Sequence, residues 1–340
     1  MRPLTLEIYG TGTHNRGAEL MAIAVAERMR KTFPEVRMAV SPYFGDFLSR
    51  AGHGFLMAGD FPGRFRGRLL SAVLPLSGAS FKSSLGAIAP SEVDIVLDAS
   101  GFAFSDQWGP GPAIALLNKM NRRDRRKQPL ILLPQALGPF ETPAVASAAR
   151  ALFARAEFVC ARDRQSYFAA EKLGGARRLL RYPDFTLGVE PIQPQGNHLS
   201  GRFAAIVPNY RILDKTNNAA EYIFSLEATI ERLTQAGWNP VFVLHDAQED
   251  RKVIQYISKG RHIPIVTDKD PRVLKGILGC AELVIGSRFH ALVSSLSQGI
   301  PCIGLGWSHK YPELFRDFDA EGLLISDMKD FALLERLLAE

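Results

Sequence analysis

The chain has 340 residues, 46% of them hydrophobic and 22% charged, with 41 Lys+Arg against 35 Asp+Glu for a formal net charge of +6. That length suggests two domains of roughly 100–200 residues each, and the apolar fraction excludes a disordered chain. Cys160, Cys280 and Cys302 stand far apart, which excludes a disulfide scaffold, and each lies in an apolar run that reads as buried core.

In chain order, residues 4–9 read as a strand and 18–32 as the amphipathic helix after it. Strand-like runs follow at 37–40, 95–98, 130–134 and 158–161, with helical patterns at 113–120, 143–154 and 164–173. The stretch 62–89, rich in Gly, Ser and basic residues, reads as a loop or small helical excursion. Between 189 and 201, Pro191, Pro194, Gly196, Asn197 and Ser200 break all periodicity and read as a linker. A second alternation has strands at 204–207, 241–244, 263–266, 283–285 and 302–305, and helices at 219–235, 249–258, 271–278 and 291–298. The expected architecture is α/β, two Rossmann-like doubly wound domains facing each other across a cleft, at 1–190 and 200–340. Ligands are expected at the carboxyl ends of the strands.

The strongest local signal is Leu283-Val-Ile-Gly-Ser-Arg-Phe-His290, a strand stopping at Gly286 and restarting as a helix near Ala291. Ser287 to His290 then occupy a turn where backbone N–H groups and the positive helix end meet a forked guanidinium and a titratable imidazole. The bland alternative pairs Arg288 with a carboxylate and leaves His290 as a cap. In Ala161-Arg-Asp-Arg164, Asp163 caps the next helix, while Arg162 either faces the cleft or forms a surface ion pair. The turn Gly10 to Glu19 lacks the spacing of a dinucleotide fingerprint and the Lys-Ser/Thr of a P-loop, and no acidic residue ends the next strand, so no nicotinamide cofactor is expected. There Asn15 and Glu19 are ligand partners or a cap with its acidic first turn. Asp98, Gln135 and Asp184 follow strands and suit sugar hydroxyls or tight turns equally.

Arg211 and His245 also end strands of the second half and are candidates for the donor cleft; Lys310 is a phosphate contact or a solvated residue. The histidines lack ligand spacing, so no metal is expected, and no nucleophile elbow is present. No zinc-finger, RNP or basic-heptad pattern favours nucleic acid. No apolar run approaches the ~18 residues of a membrane span, and the N-terminus does not read as a signal peptide, so a cytoplasmic location is expected. The basic run Arg122, Arg123, Arg125, Arg126, Lys127 reads as a solvated helix end or as a peripheral contact with an anionic membrane.

In this order, Thr13-His-Asn-Arg-Gly-Ala-Glu19-Leu, Asp98-Ala-Ser-Gly101, Pro134-Gln-Ala-Leu-Gly-Pro139-Phe, Ala161-Arg-Asp-Arg-Gln-Ser166, Pro183-Asp184-Phe, Ser287-Arg-Phe-His290-Ala-Leu and Gly299-Ile-Pro301, with Lys310 beyond, the chain resembles the polysaccharide pyruvyl transferase family over nearly its whole length. Arg16 and Ala18 depart from the smaller and acidic residues common there. The resemblance implies an architecture like that of B-type glycosyltransferases, phosphoenolpyruvate as co-substrate without a further cofactor, and a glycan or lipid-linked sugar as acceptor. It gives the first domain to the acceptor and the second to the donor. It assigns the donor to Arg288, the backbone of Phe289, and His290, with Arg162 as a second clamp. The chemistry agrees, because two arginines suit a carboxylate and a phosphate, and His290 is expected as the general acid. Two other readings stand beside it: a glycosyltransferase using a nucleotide-diphosphate sugar, and a catalytically silent glycan-binding protein of a polysaccharide assembly pathway.

Overall fold

In the computed structural model, residues 2–60, 78–123, 128–195, 202–257 and 262–339 are described. Their strands form two sheets in which every pairing is parallel. The first has eight strands, β1 (Thr5–Tyr9), β2 (Arg37–Val40), β3 (Leu56–Ala58), β4 (Ala87–Ile88), β5 (Ile95–Asp98), β6 (Leu130–Gln135), β7 (Phe158–Ala161) and β8 (Leu179–Arg181), in the order β4-β3-β2-β1-β5-β6-β7-β8. The second has six, β9 (Phe203–Val207), β10 (Asn239–Val243), β11 (Ile265–Val266), β12 (Leu283–Gly286), β13 (Cys302–Leu305) and β14 (Leu324–Ile325), in the order β11-β10-β9-β12-β13-β14. Each sheet grows outward in one direction and then restarts beside its first strand, so strand order reverses between β1 and β5 and again between β9 and β12. These are the doubly wound parallel sheets expected from the alternating runs.

Strand alternation sends successive side chains into cores on opposite faces. In β2, Met38 and Val40 join one cluster and Ala39 another. Likewise Ala204 and Ile206 of β9 pack on one face and Phe203, Ala205 and Val207 on the other. Chain contacts fall into two units, Met1–Thr13 with Met21–Phe185 and His14–Leu20 with Thr186–Glu340. Residues 14–20 were expected in the N-terminal domain; they group instead with the second unit, where the Arg16 N–H bonds the His245 carbonyl at 2.9 Å.

The elements not anticipated are short. Strands β3, β4, β8 and β14 have two or three residues each, too few for a period to show. The helices Phe47–Gly52, Arg211–Lys215, Lys310–Asp317 and Ala332–Ala339 were also unforeseen. Helix Ala79–Ser84 and β4 occupy the end of the stretch expected as a loop or small helical excursion; residues 61–77 lie outside the described part.

Two expectations need correction. Cys280 is exposed, at the end of the helix Pro271–Gly279, whereas Cys160 and Cys302 are buried. Arg123 is buried and bonds Glu7 at 2.6 Å, beside a 2.8 Å pair of Lys119 with Glu7, so it is neither a solvated helix end nor a membrane contact; Arg125, Arg126 and Lys127 lie outside the described residues. In the first part of the expected linker the Ile192 N–H bonds the Arg272 carbonyl at 3.0 Å, and just before the linker buried Lys275 donates to the carbonyls of Thr186 and Leu187. Residues 196–201 lie outside the described part. Among the described residues no helix is long and apolar enough to cross a membrane.

Candidate active site

At the carboxyl ends of β9 and β12, where the second sheet reverses, lies the turn Ser287-Arg288-Phe289-His290. The helix after it spans Phe289–Leu296 with Arg288 at its N-cap, so Phe289 and His290 stand in its first turn, two residues before the expected start. A buried polar network holds the turn. The Ser287 carbonyl accepts from Asn209 Nδ2 at 2.8 Å and from the Tyr311 hydroxyl at 2.7 Å. The Ser287 hydroxyl meets that of Tyr222 at 2.5 Å, and Tyr222 in turn accepts from the Asn209 N–H at 2.9 Å. Each group is sealed from water, so these bonds rigidify the turn instead of competing with solvent.

Arg288 is buried, and its partner is Asp250 on the helix Glu249–Ile257. Nε bonds Oδ2 at 3.0 Å and Nη2 bonds Oδ1. Asp250 also accepts from the N–H groups of Tyr210 at 3.1 Å and Asp246 at 3.0 Å. Burial opposes the charge on Arg288, but the Asp250 carboxylate outweighs it and holds the guanidinium above its ordinary pKa. The carboxylate partner of the bland reading is therefore real. It engages one edge of the fork and leaves Nη1 outside the pair.

His245 follows β10 and is 4% exposed, with Nε2 buried and bonded to no group among the described residues. Burial first, then the charges of Arg288, His290 and Arg16, push its pKa down to about 3. It is a neutral imidazole at physiological pH. His290 is half-buried and packs against Gly17: a β-carbon there would meet its Nδ1 at 2.4 Å. The Phe289 ring lies edge-on to Tyr311, their centroids 6.0 Å apart. Lys310 is half-buried, its ammonium 5.5, 5.3 and 5.5 Å from the ring centroids of Phe289, Trp307 and Tyr311. Arg211 does not end a strand; it opens the helix Arg211–Lys215 and pairs with Asp214 at 2.7 Å and Glu249 at 3.0 Å. Asn15 caps the helix Arg16–Thr32 by accepting from the Gly17 N–H at 2.9 Å, and buried Glu19 pairs with Arg16.

The first unit has its own polar cluster at the ends of β5, β6 and β7. Arg162 is buried and pairs with Asp184 at 3.1 Å, so the surface ion pair considered for it is not found. Asp163 caps the helix Arg164–Leu173, accepting from the Ser166 N–H at 2.7 Å and the Ser166 hydroxyl at 2.8 Å. Asp98 accepts from Ser100 Oγ at 2.6 Å and from Gln135 Nε2 at 2.8 Å. Burial outweighs both bonds and pushes its pKa up to about 6.

The structure thus gathers Arg288, Phe289, His290, His245 and Lys310 in the second unit, and Arg162 with Asp184 and Asp98 with Gln135 in the first. Asp250, Asn209, Tyr222, Tyr311 and Gly17 escaped sequence reasoning. The one available signal was Asn209, a lone amide two residues past a fully apolar strand.

Among known proteins, the polysaccharide pyruvyl transferase family profile matches residues 15–309. A curated relative, the amylovoran biosynthesis protein AmsJ of Erwinia amylovora, is 23% identical over 249 residues, covering 64% of this chain and 58% of that protein. This chain therefore spans less than two thirds of that relative's length. The structure of S. aureus MnaA with UDP aligns at a TM-score of 0.61 and 13% identity, over 99% of this chain and 88% of that one. Methanocaldococcus jannaschii UDP-GlcNAc 2-epimerase, in complex with UDP-GlcNAc and UDP, aligns at 0.59 and 11%, over 99% and 93%. Anabaena Alr3699/HepE, in complex with UDP and glucose, gives 0.52 and 15%, over 89% and 80%. At these identities the likeness to solved structures is one of fold.

Proposed function

This chain belongs to the polysaccharide pyruvyl transferase family, and on that premise we propose that it moves the enolpyruvyl group of phosphoenolpyruvate onto two hydroxyls of a glycan or lipid-linked sugar, releasing phosphate. The observation that carries the reading is Arg288, buried and held by Asp250 on a turn that the Ser287 network fixes. A guanidinium with one edge already positioned offers its other edge to an anion at little entropic cost. Backbone N–H groups in the first turn of Phe289–Leu296 add donors of the same sign. His245 stays neutral among Arg288, His290 and Arg16, and a phosphate dianion beside those groups would offset their mutual repulsion.

In the proposed reaction His290 gives a proton to the methylene carbon of phosphoenolpyruvate, and positive charge develops at the adjacent enol carbon. One sugar hydroxyl adds to that carbon and loses its proton. The carbon–oxygen bond to phosphate then breaks, and the second hydroxyl closes the ring with loss of its proton, one of the two protons ending on phosphate. The product is a cyclic pyruvate ketal. Lys310 and Arg162 are proposed anion contacts, Arg162 by its match to the family motif. With no spanning helix among the described residues, any contact with a lipid-linked acceptor is proposed as peripheral, at the cytoplasmic face.

Thermal unfolding with phosphoenolpyruvate and with a panel of nucleotide sugars tests the donor. A ligand at a hundred times its Kd stabilises the folded state by about 2.7 kcal/mol. We expect phosphoenolpyruvate to raise the Tm of the wild type and not of Arg288→Ala. The MnaA and HepE structures hold UDP, so stabilisation by a nucleotide sugar without phosphoenolpyruvate would replace this reading with a glycosyltransferase. Glycan binding with no phosphate released from any donor would point to a silent binding protein.

A further inference from the structure

The proposed reaction leaves one proton without a named carrier. Two sugar hydroxyls each lose a proton and His290 gives one to the methylene carbon, while the departing phosphate needs a proton of its own. A second imidazole belongs to the same cluster. His245 lies just past β10, buried, and its Nε2 meets no hydrogen-bond partner among the described residues. Buried polar atoms are bonded as a rule, so an orphan beside reacting groups points to a partner that comes with the ligand.

The His245 carbonyl takes the N–H of Arg16, the first residue of the helix Arg16–Thr32, at 2.9 Å, and Gly17 next to it packs against His290. The carboxylates of this region are committed. Glu19 pairs with Arg16, and Asp250 holds Arg288 together with the N–H groups of Tyr210 and Asp246. Asp246 accepts from the N–H groups of Gln248 at 3.2 Å and Glu249 at 2.9 Å, at the start of the helix Glu249–Ile257. The charges that act on the His245 ring are those of Arg288, His290 and Arg16, which add to burial in keeping it neutral. A dianion bound among these groups reverses that balance, because an opposite charge a few ångströms away favours the protonated ring, and more strongly in the interior than in water.

We propose that His245 is the second proton carrier of the reaction, charged as the donor's phosphate binds and discharged from Nε2 onto the bridging oxygen as the phosphate leaves. As the bond from the former enol carbon to that oxygen breaks, its electron pair stays on the oxygen, which takes the Nε2 proton, and phosphate departs as hydrogen phosphate. The proton lost by the second hydroxyl on ring closure returns to Nε2, and the proton of the first recharges His290. Once phosphate has dissociated, His245 releases to solvent the proton it took up with the donor. This role rests on the phosphoenolpyruvate reading given above.

NMR of the full chain with nitrogen-labelled histidine tests the carrier, since the two ring nitrogens of a neutral imidazole resonate far apart and those of an imidazolium close together. The His245 signals are the ones missing from His245→Gln, or from His245→Asn where only that variant folds. At neutral pH they should be those of a neutral ring in the free protein and with pyruvate, and those of an imidazolium with phosphoenolpyruvate or inorganic phosphate. The titration midpoint should rise from about 3 to about 6 or above. In His245→Gln phosphoenolpyruvate should still raise the Tm, whereas phosphate release, under conditions of wild-type turnover, should fall about 10²–10⁴-fold. A ring still neutral when phosphoenolpyruvate has raised the Tm, a ring charged equally by pyruvate, or wild-type phosphate release in the variant would overturn the proposal. Charging by inorganic phosphate with no response to phosphoenolpyruvate would sink the donor reading and leave His245 a phosphate-charged acid; charging by neither would overturn the carrier itself.

Discussion

A β-carbon on Gly17 would stand 2.4 Å from Nδ1 of His290. The first turn of the helix Arg16–Thr32 therefore accepts the imidazole only because residue 17 has no side chain. Alanine is the better helix former by about 1 kcal/mol, so Gly17→Ala should not unfold the chain. It should displace His290, and a displacement near 1 Å at a catalytic group costs about 10²-fold in rate. We expect phosphate release to fall by that order while phosphoenolpyruvate still raises the Tm; wild-type turnover in Gly17→Ala would remove His290 from the reaction.

Asp250 engages Arg288 through two hydrogen bonds and accepts two backbone N–H groups besides. Removing one member of a buried pair strands the other charge, at a cost of about 3–5 kcal/mol. Asp250→Ala should lower the urea midpoint accordingly with an unchanged m value. Asp250→Ala/Arg288→Ala should cost less than the two single changes summed, because neither charge is then left alone. Strictly additive costs would mean that the pair is not coupled.

The chain has three cysteines, and of these Cys280 alone is exposed. Burial raises the pKa of Cys160 to about 11 and of Cys302 to about 12, which keeps both as unreactive thiols. A chromogenic disulfide reagent should titrate one thiol in the native protein and three after unfolding. Rapid native reaction of two or more would place Cys160 or Cys302 at the surface.

What could be read beforehand was what local pattern encodes. The fully apolar run Phe203–Val207 and the stop at Gly286 before an apolar helix are short-range signals, and they located both the second sheet and the Arg288 turn. Asp250 lies 38 residues before its arginine, in a first helical turn where an acidic residue already has a reason to be. Asn209 and Tyr311 bond a backbone carbonyl, which every residue possesses, so their pairing with Ser287 leaves no trace in spacing. Arg123 read as part of a basic run because its partner Glu7 is 116 residues away. The elements that were missed have two to eight residues, short of what a period needs to declare itself.

Asp98 supplies a pH signature in the first unit. Burial raises its pKa from 3.8 to about 6. Because the folded state binds this proton more tightly, the stabilisation is fully present below 3.8 and is lost as pH rises through about 6. Two pK units correspond to about 3 kcal/mol. Going from pH 7 to pH 4, the wild type should gain that order of stability relative to Asp98→Asn, read from paired urea melts. Parallel profiles for the two proteins would show that Asp98 titrates normally.

His245 works in the opposite sense. Its pKa falls from 6.5 to about 3 on folding, chiefly through burial and then through Arg288, His290 and Arg16. The folded state resists a proton that the unfolded chain accepts, so the stability it contributes is present above 6.5 and is lost progressively toward about 3. Between pH 6.5 and 5 the loss amounts to about 2 kcal/mol. His245→Gln keeps a polar side chain of similar reach without the titration, so over that interval the wild type should lose about this much stability relative to the variant. A bound phosphate dianion would draw a proton toward His245 and weaken the dependence, and calorimetry in two buffers of different ionisation enthalpy reads that uptake directly. Uptake on phosphoenolpyruvate binding in the wild type, smaller in His245→Gln, is the expected pattern. Equal uptake in both proteins would assign the proton to His290 or to the ligand and leave His245 as a neutral wall of the site.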